Sequence, residues 1–547
     1  MASVEKNSKG LELMDIVHKK RLKFAGSIAD FKFCKKRVQV RSKSLDVPES
    51  FHSIIYWMSR EQRVQDNWAF LFAQRLALKN KVPLKVVFCL VPKFMDATLR
   101  HYSFMIQGLK EVEFDCKQLG IPFHLLMGQA KDVLPAFVTK NNVGGVVTDY
   151  SPLRTPRQWV ADVLNKLPKD IPLCQVDGHN VVPVWEASPK QEYAARTIRG
   201  KITSKLDAYL TEFPPLIAHP FQDKEHEIPT TDCAAVEESL EVDTSVGPVT
   251  WARGGTSHAF AVLASFCSQR LKKFADKRND PNEDALSNLS PWIHFGQISA
   301  ARCVLEVQQQ NKSCRSSVEA YVEECVIRRE LSDNFCHYQP HYDSLLGTSD
   351  WARITLDDHR KDKREKIYSL AQFDRAKTHD DLWNAAQVQL VTEGKMHGFL
   401  RMYWAKKILE WTPDPDTALA YALYLNDRYS LDGRDPNGFV GCLWSIGGLH
   451  DQGWREREVF GKIRYMNYAG CNKKMNIKAF VSKYRVREDM PGATNVKNDL
   501  QVTSTAFTVN KKKREDEDSV QSEAPKKKAK TGSRNSKKIV SFSDDDE

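Results

Sequence analysis

The chain has no uninterrupted apolar run near the roughly 18 residues a membrane helix needs; its best run, Leu84–Pro92, already contains Lys85. Lys6, Lys9 and Asp15 stand where a secretory signal would have its apolar core, which predicts a soluble chain that is not secreted. No Cys-x-x-Cys pair and no Cys/His cluster at zinc spacing occurs, so the 12 cysteines scattered from Cys34 to Cys471 read as intracellular thiols. No Gly-x-Gly-x-x-Gly follows the first predicted strand of the α/β region, where Trp57-Met58-Ser59-Arg60-Glu61-Gln62-Arg63 stands instead, and a nicotinamide site is therefore unsupported. No P-loop, Ser/His/Asp set or metal-ligand cluster turns up either.

What is present points to a globular protein: 547 residues, 41% of them hydrophobic, suit two or three folded units. The net charge of +11 is concentrated at the ends. Residues 1–50 hold 12 Lys and Arg against 6 Asp and Glu, and residues 511–547 hold 11 against 9, leaving about +3 for the 460 residues between. Any nucleic-acid surface on the folded part is thus a local patch.

The first fifty residues lack sustained periodicity and read as a mobile basic arm. Over 51–185, short β-branched or aromatic runs (Ser53–Met58, Leu84–Leu90, Phe123–Leu126, Gly145–Thr148, Leu173–Val176) alternate with helical patterns (Asp66–Lys79, Thr98–Leu119, Lys131–Lys140, Arg157–Leu167). That alternation predicts a doubly wound parallel α/β sheet. Residues 186–250, with Pro214-Pro215 and an acidic stretch, read as a connector. From 251 to 485 helical periodicity takes over, predicting helices at Ser257–Phe274, Ser299–Gln310, Ser316–Asp333, Thr378–Glu393, Gly398–Glu410 and Thr417–Tyr429. Thr378-His379-Asp380-Asp381 has the pattern of a capping box at one helix start. Residues 486–547 are low-complexity and read as a disordered tail. Its clusters Lys511-Lys512-Lys513-Arg514 and Pro525–Lys530 fit a nuclear localisation signal and hence nuclear import machinery as a partner.

Trp404 and Trp411 lie seven residues apart on one predicted helix, about 10 Å along its axis, and Trp383 lies on the helix before. Three indoles can simply fill a core, or they can relay a hole between a buried redox group and solvent; spacing alone leaves both open. The segment Asn426–Gly438 is dense in polar groups between two apolar stretches, which suits either a surface turn or a buried site.

Residues Glu393–Trp411, Asn426–Gly438, Cys442–Asp451, Phe460–Met466, Arg278–Pro281, Leu289–Ser299 and Val147–Arg154 together resemble class II cyclobutane pyrimidine dimer DNA photolyases, over about 51–485. The resemblance implies an α/β domain, a connector and a helical domain that holds FAD. It also implies blue-light repair, in which reduced FAD gives one electron to a dimer flipped out of the duplex and recovers it after ring opening. Under the resemblance Glu324 is the carboxyl that hydrogen-bonds the dimer, protonated through burial, with Glu323 as the fallback. Asn426 is then the amide near flavin N5, and Arg401 and Asp432 the ion pair beside the ring. Ser287, Asn288, Leu289 and Ser290 support the pyrophosphate and ribityl chain, and Gly433, Asp435 and Asn437 complete the cofactor loop. Trp383, Trp404 and Trp411 match the electron path.

Cys442 stands where class I relatives have a tryptophan, in keeping with class II. Trp444 is expected against the flipped dimer, Asp451 and Trp454 near the gap left in the duplex, and Lys462 and Arg464 on phosphates. Trp292 and Glu458 depart from the family pattern, where tyrosine and proline are expected. Gly254-Gly255-Thr256-Ser257 before a helix is a weak second signal for anion binding. The resemblance leaves room for an antenna chromophore of unknown identity in the α/β domain, and nothing demands more than a monomer. The rival reading is a cryptochrome-like photoreceptor without repair; a (6-4) photolyase and a non-catalytic DNA-binding scaffold fit the motifs less well.

Overall fold

The computed structural model describes residues 2–222, 230–486 and 490. Six strands form one sheet: β1 (Val38–Val40), β2 (Ser53–Met58), β3 (Leu84–Leu90), β4 (Phe123–Met127), β5 (Val143–Asp149) and β6 (Leu173–Val176). Their order is β1-β6-β5-β2-β3-β4, parallel except for β1, which runs antiparallel to β6 with Val38 opposite Val176. Every residue of β2 and β5 is buried, as expected of strands covered by helices on both faces. The helices between strands are α2 (Trp68–Asn80), α3 (Leu99–Gln118), α4 (Ala130–Lys140) and α5 (Arg154–Lys166). Asn67 starts α2 by accepting hydrogen bonds from the amides of Ala69 and Phe70. The chain leaves β2 toward β3 on one side and returns at β5 on the other, so the crevice of this sheet lies at the carboxyl ends of β2 and β5.

The expectation of a mobile basic arm over residues 1–50 is corrected by the fold. Helix α1 (Ala2–Phe24) packs along the helix Thr256–Ser265, so closely at Gly10 that a Cβ there would meet the Ala261 Cα at 2.8 Å. Val17 is fully buried, and Arg21 pairs with Asp66 at 2.7 Å. Arg37, also buried, donates to the carbonyls of Asp177, Asn180, Val181 and Tyr209 and lies 5.1 Å from the ring centres of Trp68 and Tyr209. Basic residues that read as solvated thus hold the arm to the core.

The segment read as a connector contributes the helices Ala195–Thr203, Leu206–Tyr209 and Cys233–Glu238. Beyond it the fold is helical, with the main helices at Thr256–Lys277, Ala300–Gln308, Asn311–Tyr338, Asp381–Glu393, Gly398–Glu410, Pro415–Tyr429 and Pro436–Gly447. The first and third contain π-helical turns, at Phe266–Arg270 and Glu323–Arg328. Asp380 alone caps Asp381–Glu393, accepting from the Trp383 amide, while Thr378 binds Asn384; the expected capping box does not form.

The α/β and helical parts sit in one compact unit, Met1–Thr494. Arg60 grips Asp333 with two hydrogen bonds of 2.8 and 3.0 Å, Arg63 donates to the Gly296 carbonyl, and Glu330 accepts from the Val181 amide. No helix among the described residues is long and apolar enough to cross a membrane. The expected disordered tail and its basic clusters lie, apart from Val486 and Met490, outside the described residues.

Candidate active site

The π-helical turn Glu323–Arg328 separates two neighbouring glutamates. Glu323 is held by Arg199 at 2.7 Å and Arg328 at 3.0 Å, and the Arg199 hydrogen bond keeps its carboxyl below the usual value. Glu324 makes only a loose 3.9 Å approach to Arg278, and desolvation pushes its carboxyl above the usual value against the pull of Arg328 and Arg278. The side chain is nevertheless 51% exposed, so the expected burial is corrected: Glu324 is open to an incoming partner, yet biased toward its protonated, donating form. Glu323 is a salt-bridged residue and drops out as the fallback.

Asn426 is buried in the last turn of Pro415–Tyr429, its amide donating to Asp427 at 2.9 Å. The next chain reversal brings Asp432 to within 3.7 Å of Arg401 on Gly398–Glu410. Gly433 is required in that reversal, because a Cβ would meet the Asp427 Cα at 2.9 Å. Across from it, Asn288 adopts a left-handed backbone (φ 62°) and its side chain accepts from the Lys395 ammonium. Leu289 is buried, its amide donating to the Ser287 hydroxyl at 3.5 Å, and Ser290 opens the short helix Ser290–His294.

These residues fit a flavin dinucleotide. Asp432 Oδ1 and Arg270 Nε are buried without hydrogen-bond partners, so the pocket holds one acceptor and one donor awaiting a polar ligand. Lys395, its pKa lowered by desolvation to about 8, lies with Arg401 and Arg270 around a single facing Asp432 and a more remote Glu393, which suits a pyrophosphate. Lys395 and Arg270 were missed in the sequence; a lysine and an arginine inside helical patterns carry no signal of convergence.

Two further expected cofactor residues, Asp435 and Asn437, are engaged with protein partners. Asp435 caps Pro436–Gly447, accepts from Asn437 and meets His294 at 2.8 Å. Burial opposes its charge, but the hydrogen bond from His294 keeps its carboxyl well below the usual range. Asn437 is exposed and donates to Asp435. Asp435 lines a cavity of about 210 Å³ at the carboxyl ends of β2 and β3, with Trp57, Phe88, Met105, Trp159 and Phe295. The Gly254–Ser257 signal is also corrected: the Gly255 amide is taken by Gln297 and the Ser257 amide by Glu111, and a Cβ at Gly254 would meet the Phe104 carbonyl at 2.0 Å.

The three tryptophans form a continuous buried path. Trp383 stacks on Trp404 at 6.2 Å with 8° between planes, and its other neighbour, Trp411, is also at 6.2 Å. The middle position therefore belongs to Trp383; the helix ends at Glu410, and Trp411 sits at its cap. The Trp404 indole donates to Gln387, and Trp383 donates to the Trp404 carbonyl. Trp411 reaches a surface groove lined by His379, Lys407 and Tyr468.

Trp444 is partly exposed on Pro436–Gly447. Arg464 lies 5.6 Å from its ring centre and 4.1 Å from that of Trp454, gripping Asp451 at 2.7 and 2.9 Å. Arg464 is thus paired with Asp451 and packed on the indoles while its side chain stays 36% exposed, and Lys462 is exposed. The departure at Trp292 is absorbed by burial and a 2.9 Å hydrogen bond to the Arg253 carbonyl; Glu458 is exposed and its carbonyl accepts from Phe460. Among the described residues no group of three or more His, Cys, Asp or Glu is placed to hold a metal.

Comparison with known proteins agrees with this arrangement. The DNA photolyase family profile matches residues 54–219. Proteins named deoxyribodipyrimidine photo-lyase are similar: that of Potorous tridactylus is 57% identical over 88% of this chain and 90% of its own, and that of Arabidopsis thaliana is 48% identical over 78% and 88%. The one from Methanothermobacter thermautotrophicus is 40% identical over 79% and 94%. Among solved structures, a class III photolyase from Agrobacterium tumefaciens aligns with a TM-score of 0.59 at 18% identity, covering 80% of this chain and 87% of that one, and so shares the fold. On these similarities, which span both the sheet and the helices that carry the tryptophan path, the chain belongs to the DNA photolyase family.

Proposed function

We propose that this protein repairs cyclobutane pyrimidine dimers in DNA under light. The observation that carries the reading is the placement of an open, upward-shifted Glu324 and a partly exposed Trp444 on one helical body with the buried Trp404–Trp383–Trp411 path. Members of the family bind FAD. Lys395, Arg270 and the Ser287–Ser290 segment would hold its pyrophosphate, and Arg401, Asp432 and Asn426 would serve its ring system. When bound and reduced, FAD supplies one electron to the dimer under blue light. Trp444 stacks on the flipped dimer, a contact worth about 1–3 kcal/mol per base. Glu324, in its protonated form, donates a hydrogen bond to a pyrimidine carbonyl and holds the added charge while the ring opens. The tryptophan path, from Trp411 through Trp383 to Trp404, would carry an electron inward to a cofactor that starts oxidised; the repair cycle itself returns its electron and needs no such supply. Arg464 and Trp454, tied to Asp451, fill the space the dimer vacates, and Lys462 contacts phosphate.

We also assign the aromatic cavity, which lies at the carboxyl ends of β2 and β3 and reaches the loop after β5 at Ser151 and Leu153, to an antenna chromophore, because ligands of such sheets bind at their carboxyl ends and its walls suit a planar ring. An action spectrum for repair with a band absent from the FAD spectrum supports this; one that follows FAD alone overturns it. The basic clusters at 511–514 and 526–530 serve nuclear import, the test being the location of a chain truncated after 510. The protein works as a monomer, which light scattering at working concentration checks.

The function itself is tested with purified, reduced protein on an oligonucleotide carrying one thymine dimer, illuminated and dark, beside a (6-4) photoproduct control. Light-dependent restoration of the dimer alone is expected. Tight flavin binding without repair of either lesion would favour the photoreceptor reading.

A further inference from the structure

Lys406, on the helix Gly398–Glu410, has no part in the arrangement above, yet it is fully buried. Its ammonium donates to the Ser445 carbonyl at 2.9 Å and stands 5.2 Å from the centre of the Trp444 ring. The charged groups that face it are Asp451 and Arg464, which are bound to each other by two hydrogen bonds. With that pair neutralised internally, Lys406 is the one uncompensated charge in the wall behind Trp444, among the described residues. Burying an ammonium costs far more than burying a neutral donor that could satisfy the same carbonyl. Desolvation lowers its pKa to about 7, with Asp451 pulling it up and Arg464 pressing it down.

We propose that Lys406 is a positioning residue for charge: its ammonium, held behind the Trp444 ring, stabilises the electron while that electron resides on the dimer. This rests on the reading that the dimer stacks on Trp444. The step is redox-neutral: one electron enters the dimer from the reduced cofactor, the two C–C bonds joining the pyrimidines break, and the electron returns to its donor. Lys406 exchanges neither electron nor proton. In a dry pocket wall the attraction acts at full strength during the lifetime of the charge-separated state, slowing return of the electron before the ring has opened.

The test compares wild type, Lys406→Met, Lys406→Arg and Trp444→Ala as FAD-loaded full-length proteins. It measures dimer-DNA affinity in the dark, repair per absorbed photon at saturating DNA, and the lifetime of the charge-separated state by transient absorption. The expected result is that Lys406→Met binds dimer DNA within about twofold of wild type, but repairs with a yield lowered roughly twofold or more and a shortened charge-separated lifetime, while Lys406→Arg keeps both. An unchanged yield and lifetime in Lys406→Met would overturn the proposal. So would a loss of dimer affinity with normal yield from bound DNA, which would make Lys406 a support for the fold of the pocket. Unaltered dimer binding by Trp444→Ala would instead sink the stacking reading on which the proposal stands.

Discussion

Glu323 and Glu324 are neighbours with opposite electrostatics: two arginines hold one ionised, while desolvation biases the other toward its neutral form. If Glu324 works as a donor, repair should weaken as pH rises through its raised pKa, because the proton it donates is then lost. Glu324→Gln, which donates at every pH, should flatten that limb of the profile. Glu324→Ala should lower repair by about fivefold, the equivalent of one net hydrogen bond, while the protein keeps its flavin absorbance. Repair at full yield in Glu324→Ala would show the carboxyl to be misassigned.

Among the elements, α1 and the tryptophan-bearing helices make separate predictions. Asp66 receives Arg21 from α1 at 2.7 Å and Arg302 at 2.8 Å, and these partners overcome its desolvation to hold its carboxyl well below the usual range. Its stabilising contribution is complete above the unfolded carboxylate pKa, near 4, and fades as pH falls below it. Asp66→Asn should cost about 3–5 kcal/mol in denaturant unfolding, since two buried guanidinium groups lose a carboxylate. Trp411→Phe should block photoreduction of the oxidised flavin, because the path then stops short of the surface.

The same elements show what could be read in advance. Apolar runs such as Ser53–Met58 and Leu84–Leu90 were legible as strands because burial on both faces demands continuous hydrophobicity. Helix α1 was not, because it buries a narrow stripe through Gly10, Val17 and Arg21 and leaves Leu11 and Leu22 exposed. The tryptophan path was legible as a set but not in its order, since the middle place of Trp383 depends on packing between two helices. Lys395, Lys406 and Arg270 are ordinary cations in sequence; only burial sets them apart. The pairing of Asp435 with Asn437 follows from the helix start at Pro436, where Asp435 is the cap and Asn437 donates to it.

At the scale of the whole molecule, the sheet and the helices are locked together by Arg60–Asp333 and Glu330, and with the basic N-terminal segment packed into the fold residues 1–486 carry a net charge of +10. Each cation that meets the phosphate backbone should then add to the salt dependence of DNA affinity. Lys462→Ala should reduce the slope of log affinity against log salt by about 1, uniformly for intact and damaged duplex, whereas Trp444→Ala should weaken only damaged DNA. An unchanged slope would place the phosphate contacts elsewhere.

Two electron routes run through the molecule, one inward along Trp411, Trp383 and Trp404, the other outward to a dimer held by Glu324 and Trp444. The most direct test is the yield of thymine-dimer repair per absorbed photon by chemically pre-reduced Trp383→Phe under oxygen-free conditions. The predicted result is a yield equal to that of wild type, although the same variant cannot photoreduce its oxidised flavin. A yield that falls along with photoreduction would contradict the separation and place the tryptophans on the repair route itself.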